Sequence, residues 1–206
     1  MNRLGLFKWL TAIGATAIVV ACADTAAPAG GGGGGALPNI VALPVAHPAL
    51  CADTAAFYAV KGDDRVGELT FDRGNCPHGE KYAELKVDGQ ALFRRPDGSV
   101  FVTGDSIQIR FWVVSPDSML FQFEPAGLQF DPHHPARLHI EYGEENDDFD
   151  HDGHVTHADS TIKDSLAVWH QDSVGGAFTK LQTDNFEDAN EIESDVLGFS
   201  RYAIAY

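Results

Sequence analysis

The sequence has few positive charges. It contains 14 Lys and Arg residues against 30 Asp and Glu residues, and its formal net charge is −16 at pH 7. A surface of this sign repels nucleic acid and anionic lipid headgroups, and it attracts cations. Basic stretches interleaved with aromatic residues, which are typical of nucleic-acid-binding faces, are also missing. The charge therefore excludes nucleic acid as a partner and favours cations as ligands.

The sequence also lacks the motifs that mark common catalytic sites. It has no GxSxG, HExxH or CxxC motif, and no GxGxxG follows a strand-like segment. No repeat with a period of 20–50 residues is present, and no amphipathic helix is predicted beyond the N-terminal leader. These absences favour a non-enzymatic protein.

Long apolar runs are missing except at the N-terminus. Residues 10–21 form a continuous run of apolar and small residues after a short basic region. The run is too short to span a bilayer comfortably and has the length of a signal-peptide core. It ends in the sequence VVAC at residues 19–22, which resembles the lipobox of bacterial lipoproteins.

The lipobox resemblance implies a subcellular location. Residues 1–21 would be the signal peptide, and Cys22 would be the lipidated first residue of the mature chain, anchored to the membrane in the bacterial cell envelope. Ala23 stands where some lipoproteins carry an aspartate retention signal, which favours the outer membrane where the cell has one. The alternatives are a plain secretory signal and an N-terminal membrane anchor.

The segment after Cys22 predicts a tether. Residues 22–45 are rich in Gly, Ala and Pro and include six consecutive glycines, residues 30–35. Such a segment buries little surface and behaves as a flexible linker. We expect one folded domain to follow at residues 46–206.

Cysteine usage fits an exported protein. If lipid takes Cys22, then Cys51 and Cys76 remain as an even pair, for which a disulfide is the natural state outside the cytoplasm. The alternatives are free thiols and a metal site, against which the wide spacing argues.

Strand signals dominate the folded part. Alternating residues in 107–114 share one face: Ile107, Ile109, Phe111 and Val113. Asp88-Gly89 and Gly175-Gly176 are typical of turns between strands. The other strand-like segments are residues 82–87, 91–95, 120–123, 137–142, 166–170, 177–182 and 199–206. Many short strands at even spacing predict an all-β, antiparallel β-sandwich in a single domain.

Part of this pattern resembles a known family. The sequence FEPAGLQFDPHHPARLHIEY at residues 123–142 and the closing GFSRYAIA at residues 198–205 resemble ZU5-like β-sandwich domains, and Trp169 falls where such domains often have a tryptophan. Immunoglobulin-like sandwiches are the alternative. The resemblance implies an interaction or structural module, with an envelope protein or polysaccharide as its unknown partner.

The resemblance also raises the question of self-cleavage. Some ZU5-like proteins cut their own chain before the serine of a His-Phe-Ser sequence, where the histidine moves the proton. Here Ser200 follows Phe199, but Gly198 replaces the histidine. We therefore expect no cleavage between Phe199 and Ser200.

The most specific motif is DFDHDGHVTHAD, residues 148–159, inside an acidic insertion at residues 143–160. It fits the EF-hand calcium-loop template, in which alternating carboxylates, a glycine at position 6 and a carbonyl at position 7 surround the ion. The predicted ligands are Asp148, Asp150, Asp152, the backbone carbonyl of His154, Thr156 and Asp159. Asp159 at position 12 replaces the usual bidentate Glu, so we expect weak affinity, about 10⁻⁴–10⁻³ M. Val155 is expected to anchor the loop on apolar surface.

Two alternatives compete with calcium. The loop is either a solvated acidic turn, or it binds zinc or copper through His151, His154 and His157 with help from His133 and His134. Gathering histidines at three-residue spacing needs a helix, against which Gly153 and Thr156 argue.

The sequence thus predicts a cell-envelope lipoprotein that presents a non-enzymatic β-sandwich with one calcium loop. The alternative function is a metal-dependent or carboxylate-dependent envelope hydrolase, which would require a concave site with converging carboxylates or histidines.

Overall fold

The structure is a computed structural model that describes residues 38–43, 47–143 and 147–206. Within these residues the chain forms thirteen strands and one helix. In chain order they are β1 (Thr54–Val60), β2 (Arg65–Phe71), β3 (Glu80–Val87), β4 (Leu92–Arg94), β5 (Ser106–Val113), β6 (Leu120–Glu124), β7 (Gln129–Phe130), β8 (Ala136–Glu141), α1 (His157–Ser165), β9 (Ala167–Gln171), β10 (Phe178–Lys180), β11 (Thr183–Phe186), β12 (Glu191–Val196) and β13 (Arg201–Ala205). No helix in this part of the chain has the length and apolar character needed to span a membrane.

The strands form two large sheets and one small one. One sheet has six strands in the order β1-β5-β6-β13-β9-β10, and the other has five in the order β11-β12-β8-β3-β2. Strands β4 and β7 form a separate two-stranded sheet. All of these pairings are antiparallel, so the predicted all-β antiparallel sandwich is confirmed.

The core lies between the two large sheets and is rich in aromatic residues. In β5, Ile109 and Phe111 are fully buried, as the alternation predicts. The ring of Phe111 stacks on that of Phe123 in β6, with centroids 5.0 Å apart. Tyr82 of β3 contacts Phe121 of β6 at 5.4 Å and so joins the two sheets. Burial of aromatic side chains of this size is the main favourable contribution to the stability of the sandwich.

The sandwich includes residues that the sequence assigns to the tether. Residues 39–41 run along the C-terminal strand, where the N–H of Val41 donates to the carbonyl of Ile204 at 2.9 Å. The N–H of Leu43 donates to the carbonyl of Asp117, just before β6, at 3.1 Å. Val41 and Leu43 are buried in the core. The ordered domain therefore begins before residue 46, because these two apolar side chains complete the core.

The turn at Asp88-Gly89 does not form a hairpin. Strand β3 before it pairs with β2 and β8, whereas β4 after it pairs with β7 in the small sheet. The turn instead contacts the β1–β2 turn, where the N–H of Gly62 donates to the carbonyl of Gly89 at 2.7 Å. A Cβ at Gly89 would lie 2.8 Å from the backbone nitrogen of Asp63, so the glycine serves this close approach.

The predicted disulfide between Cys51 and Cys76 is present. It ties the segment before β1 to the loop between β2 and β3. The N–H of Cys51 donates to the carbonyl of Thr70 at 2.8 Å, which holds this segment against β2. A Cβ at Gly79 would lie 1.9 Å from the carbonyl oxygen of Phe71, so only glycine allows the loop to return this closely.

Removing the disulfide should destabilise the domain. Because the bond closes a loop with a sequence separation of 25 residues, the double variant Cys51→Ser/Cys76→Ser should lose about 3 kcal/mol of unfolding free energy. Chemical denaturation of the variant and of the wild type, each with and without reductant, measures this loss. A reductant effect equal in both proteins would contradict the prediction.

The outer face of the five-stranded sheet buries a carboxylate. Glu84 in β3 is only 4% exposed. Its carboxylate contacts Lys86 Nζ at 2.8 Å and Lys81 Nζ at 3.1 Å. A bulge in β3, where the register with β2 shifts, brings Lys81 to the same face as Glu84. Burial opposes ionisation of Glu84, but hydrogen bonds from Lys86 and other neighbours lower its pKa from 4.5 to about 2.

This lowered pKa predicts an acid-sensitive contribution to stability. The stabilisation is present above pH 4.5, the ordinary value, and is lost as the pH falls toward 2. Glu84→Gln should lower the unfolding free energy by about 1–3 kcal/mol at pH 7 and flatten its pH dependence between these values. Urea denaturation from pH 2 to 7 measures both effects. The control Glu80→Gln breaks only the exposed pair with Arg73 and should change little; equal pH curves for Glu84→Gln and the wild type would refute the prediction.

Candidate metal centre

The acidic loop lies between β8 and α1, and Phe149 attaches it to the core. Phe149 is buried and contacts the ring of Tyr142 at 6.3 Å. The hydroxyl of Tyr142 donates to Asn185 Oδ1 at 2.7 Å, and Asn185 Nδ2 donates to the carbonyl of Lys163 in α1 at 2.9 Å. The expectation that Val155 anchors the loop is wrong, because Val155 is 65% exposed. Phe149, at position 2 of the loop, has that function.

Three predicted ligands converge in this loop. One carboxylate oxygen from each of Asp148, Asp150 and Asp152 lies within 4.8 Å of the other two. Asp148 is buried, whereas Asp150 and Asp152 are exposed. The alternating spacing in the sequence thus turns three carboxylates toward a shared centre.

Backbone N–H groups of the loop stabilise this cluster of like charges. The two oxygens of Asp148 accept from the N–H of Asp152 at 3.1 Å and of Gly153 at 3.0 Å. Asp150 accepts from the N–H of Asp152 at 3.1 Å, and Asp152 accepts from that of His154 at 2.8 Å. The N–H donors offset part of the repulsion between the three carboxylates.

The curvature of the loop depends on left-handed backbone conformations. Asp147 has φ 60°, His151 has φ 57° and Gly153 has φ 86°. A Cβ on Gly153 would meet nothing within 4 Å, so its glycine is required by conformation rather than by space. This matches the position-6 glycine that the sequence singled out.

Two further predicted ligands, Thr156 and Asp159, cap a helix. The structure places Thr156 at the N-cap of α1, where its Oγ1 accepts from the N–H of Ala158 at 3.1 Å. Asp159 is 1% exposed, and its oxygens accept from the N–H of Asp150 at 3.2 Å and of Thr156 at 2.7 Å. The N–H of Thr156 holds the pKa of Asp159 below its ordinary value. Asp159 therefore links the loop to the helix, and it lies outside the group of three converging carboxylates.

The helix α1 itself corrects a sequence expectation. No helix was expected after the leader, yet α1 begins directly after the loop. The signal was Thr156-x-x-Asp159, the capping-box pattern, in which each side chain satisfies the other residue's backbone. The apolar periodicity that would have revealed the helix is weak, since only Ile162 in α1 packs against the core cluster.

The structure does not gather the histidines proposed for zinc or copper. His151, His154 and His157 are exposed. In the described part of the chain, none of them joins two other potential ligands around a shared centre. His133 and His134 are also exposed and line a surface cleft with Arg65.

A second polar cluster surrounds Ser200, which is buried. Ser200 Oγ lies 2.9 Å from His170 Nε2, and His170 Nδ1 lies 3.3 Å from Asp172 Oδ1. The hydroxyl of Ser200 also donates to the backbone carbonyl of Gln171. Burial lowers the pKa of His170, which opposes the protonated ring. The three side chains line a surface cleft of about 540 Å³. Sequence reasoning missed His170 as a neighbour of Ser200, because the two residues are 30 positions apart.

Comparisons of this chain with protein-family models, with curated proteins and with solved structures find no match. The likeness to ZU5-like domains and to bacterial lipoproteins therefore stays a prediction. Cys22, the predicted lipidation site, lies outside the described residues.

The capping box predicts a measurable cost. Thr156→Ala removes the hydroxyl that accepts from Ala158 and should lower the unfolding free energy by about 1 kcal/mol in calcium-free buffer. The matched control Thr161→Ala removes a hydroxyl that donates to the carbonyl of His157 one turn earlier and should have a smaller effect. Chemical denaturation measures both. A larger loss for the control would contradict the assigned cap.

Proposed function

We propose that this chain is a lipid-anchored, non-enzymatic β-sandwich module of the bacterial cell envelope that binds one calcium ion in residues 148–159. The convergence of Asp148, Asp150 and Asp152 within 4.8 Å is the observation that carries this proposal. Lipid on Cys22 would hold the chain at the membrane, and the glycine-rich segment would separate the sandwich from the bilayer.

The chemistry of the loop favours calcium over other metals. The converging ligand atoms are all carboxylate oxygens, which suit hard cations such as Ca²⁺ and Mg²⁺. Calcium takes six to eight oxygens in an adaptable geometry, whereas Mg²⁺ demands a near-ideal octahedron. The backbone carbonyl of His154 and water would supply the further oxygens. Since Asp159 and Thr156 cap α1, they would join the ion only by giving up their backbone partners, which is consistent with weak affinity.

The place of the loop indicates what the ion would do. Phe149 attaches the loop to the core, and Asp159 attaches it to α1. An ion held by Asp148, Asp150 and Asp152 would neutralise three charges on either side of Phe149 and ahead of α1. Calcium would therefore stiffen this end of the sandwich and shape the surface that it offers to an envelope protein or polysaccharide.

The disulfide supports the proposed compartment. Disulfides persist in exported proteins and are rare in the cytoplasm, where thiols are kept reduced. The presence of the Cys51–Cys76 bond is thus consistent with the export that the leader predicts.

The contacts of Ser200 speak against the hydrolase alternative. A serine hydroxyl has one hydrogen, and the carbonyl of Gln171 can only accept, so the hydrogen points to Gln171. His170 Nε2 then donates to Ser200 and cannot take its proton as a general base. Asp172 favours the opposite tautomer, but its side chain is 93% exposed, so water competes for the contact. The arrangement ties β13 to β9 better than it activates a nucleophile.

Calcium should stabilise the protein. For an affinity of about 10⁻⁴–10⁻³ M, 10 mM calcium should add about 1–3 kcal/mol and raise the melting temperature by about 3–10 °C. Asp150→Asn should abolish this gain, because it removes one of the three converging carboxylates while leaving the core intact. Thermal melting in EDTA and across 0–10 mM calcium provides the measurement.

The control for this experiment is Asp117→Asn, which removes an exposed carboxylate outside the loop and should keep the full calcium response. Magnesium at the same concentrations should give a smaller shift. A flat melting temperature across the calcium series would remove the calcium claim, and an equal loss in both variants would show a nonspecific charge effect.

A further inference from the structure

The outer face of the five-stranded sheet brings ionisable residues from four strands into one row. The antiparallel register sets Glu68, Glu84, His139 and Glu193 opposite one another across β2, β3, β8 and β12. In the next row Glu141 of β8 lies opposite Glu191 of β12. Because side chains alternate along a strand, Glu141 and Glu191 share the face of His139.

His139 is the buried centre of this face. The residue is 7% exposed, and its Nε2 has no hydrogen-bond partner and no contact with solvent. Nε2 lies 3.8 Å from Glu141 Oε1 and 3.8 Å from Glu191 Oε2, which is too far for a hydrogen bond. A buried polar atom normally has a partner, so an unpaired nitrogen aimed between two carboxylates requires an explanation.

The other ring nitrogen of His139 is held in place. Nδ1 lies 3.1 Å from Glu193 Oε1, within hydrogen-bond distance. A hydrogen on Nδ1 that is donated to this carboxylate leaves the lone pair on Nε2, directed at Glu141 and Glu191. Histidines that bind metals almost always donate their second ring N–H to a carboxylate, carbonyl or water in this way.

The charges around Nε2 also call for a cation. Within the described part of the chain, His139 is the only basic side chain within 4.0 Å of either Glu141 or Glu191. Lys81 is paired with Glu84, and Arg137 lies near Glu193 and Asp195.

We propose that His139 Nε2, Glu141 and Glu191 bind one divalent transition metal ion of the zinc type on the outer face of the five-stranded sheet. Zinc bonds of about 2.1 Å place tetrahedral ligand atoms about 3.4 Å apart. The two separations of 3.8 Å from Nε2 therefore need only small side-chain movements to accommodate the ion. A mixed nitrogen and oxygen donor set suits zinc and its neighbours rather than calcium.

The ion would neutralise Glu141 and Glu191 and would also give His139 Nε2 the partner that it lacks. Three protein ligands leave the fourth position for water or another ligand. The side chains of Glu141 and Glu191 are 24% and 35% exposed, which gives the ion a route from solvent. This site shares no residue with the aspartate loop, so a test of the zinc site does not depend on the outcome of the calcium experiment.

Zinc titration of the purified full chain, stripped of metal with EDTA, tests the proposal. Calorimetry and native mass spectrometry should show one zinc ion per chain. Glu191→Gln should weaken binding by more than tenfold, and Glu193→Gln, which loosens the ring of His139, by about 10–100-fold. Cobalt substitution with X-ray absorption should report a single imidazole among the ligands.

Two controls make the outcome decisive. Glu187→Gln removes an exposed acid near the same strand, and His151→Gln removes an exposed imidazole of the loop; both should keep the wild-type zinc affinity. Thermal melts in EDTA show that each variant folds. The proposal is overturned if the wild type binds no zinc, if Glu191→Gln binds it unchanged, or if His151→Gln abolishes binding.

Discussion

A carboxylate that leaves water needs hydrogen-bond donors or positive charge, and this chain has 30 acidic residues against 14 basic ones. The fold meets this requirement differently at each buried acid. Asp148 and Asp159 accept hydrogen bonds from backbone N–H groups of the loop and of the residues that begin α1. Glu84 lies between two lysines. Backbone N–H groups and two lysines thus supply the donors that these buried carboxylates need, although basic residues are few in the chain.

The need of buried carboxylates for donors or positive charge is met differently at the two proposed metal sites. In the aspartate loop, N–H donors already offset part of the charge, so an ion adds to a structure that exists without it. Around His139, the three nearest carboxylates share one imidazole, and its Nε2 makes no hydrogen bond. The first site therefore suits a weakly bound calcium ion, while the second suits a metal that accepts nitrogen as well as oxygen.

Much of the fold was predictable where the pattern was local. The alternation in β5, the hairpin of β9 and β10 and the strand that ends before Pro125 all agree with the structure. The sequence interpretation missed five strands: β1, β2, β7, β11 and β12. In β11 and β12 the cause is that TDNF and EIESDV carry few apolar residues and mix them with acids. It also missed α1, whose start was encoded by a cap rather than by apolar periodicity. The partner of β4 was unpredictable, since strand pairing depends on which edges the rest of the chain leaves free.

By itself, the sequence predicted the antiparallel sandwich, the pairing of Cys51 with Cys76 and the convergence of Asp148, Asp150 and Asp152, and the structure contains all three. The sandwich and the aspartate cluster depend on residues a few positions apart, and the disulfide depends on the number of cysteines, so each could be inferred without knowing the strand pairing. Only the tertiary structure decided that Asp159 caps a helix and that His139 faces Glu191. The register between β8 and β12 joins residues about 50 positions apart, and no local pattern specifies such a register, because packing of the whole core selects it.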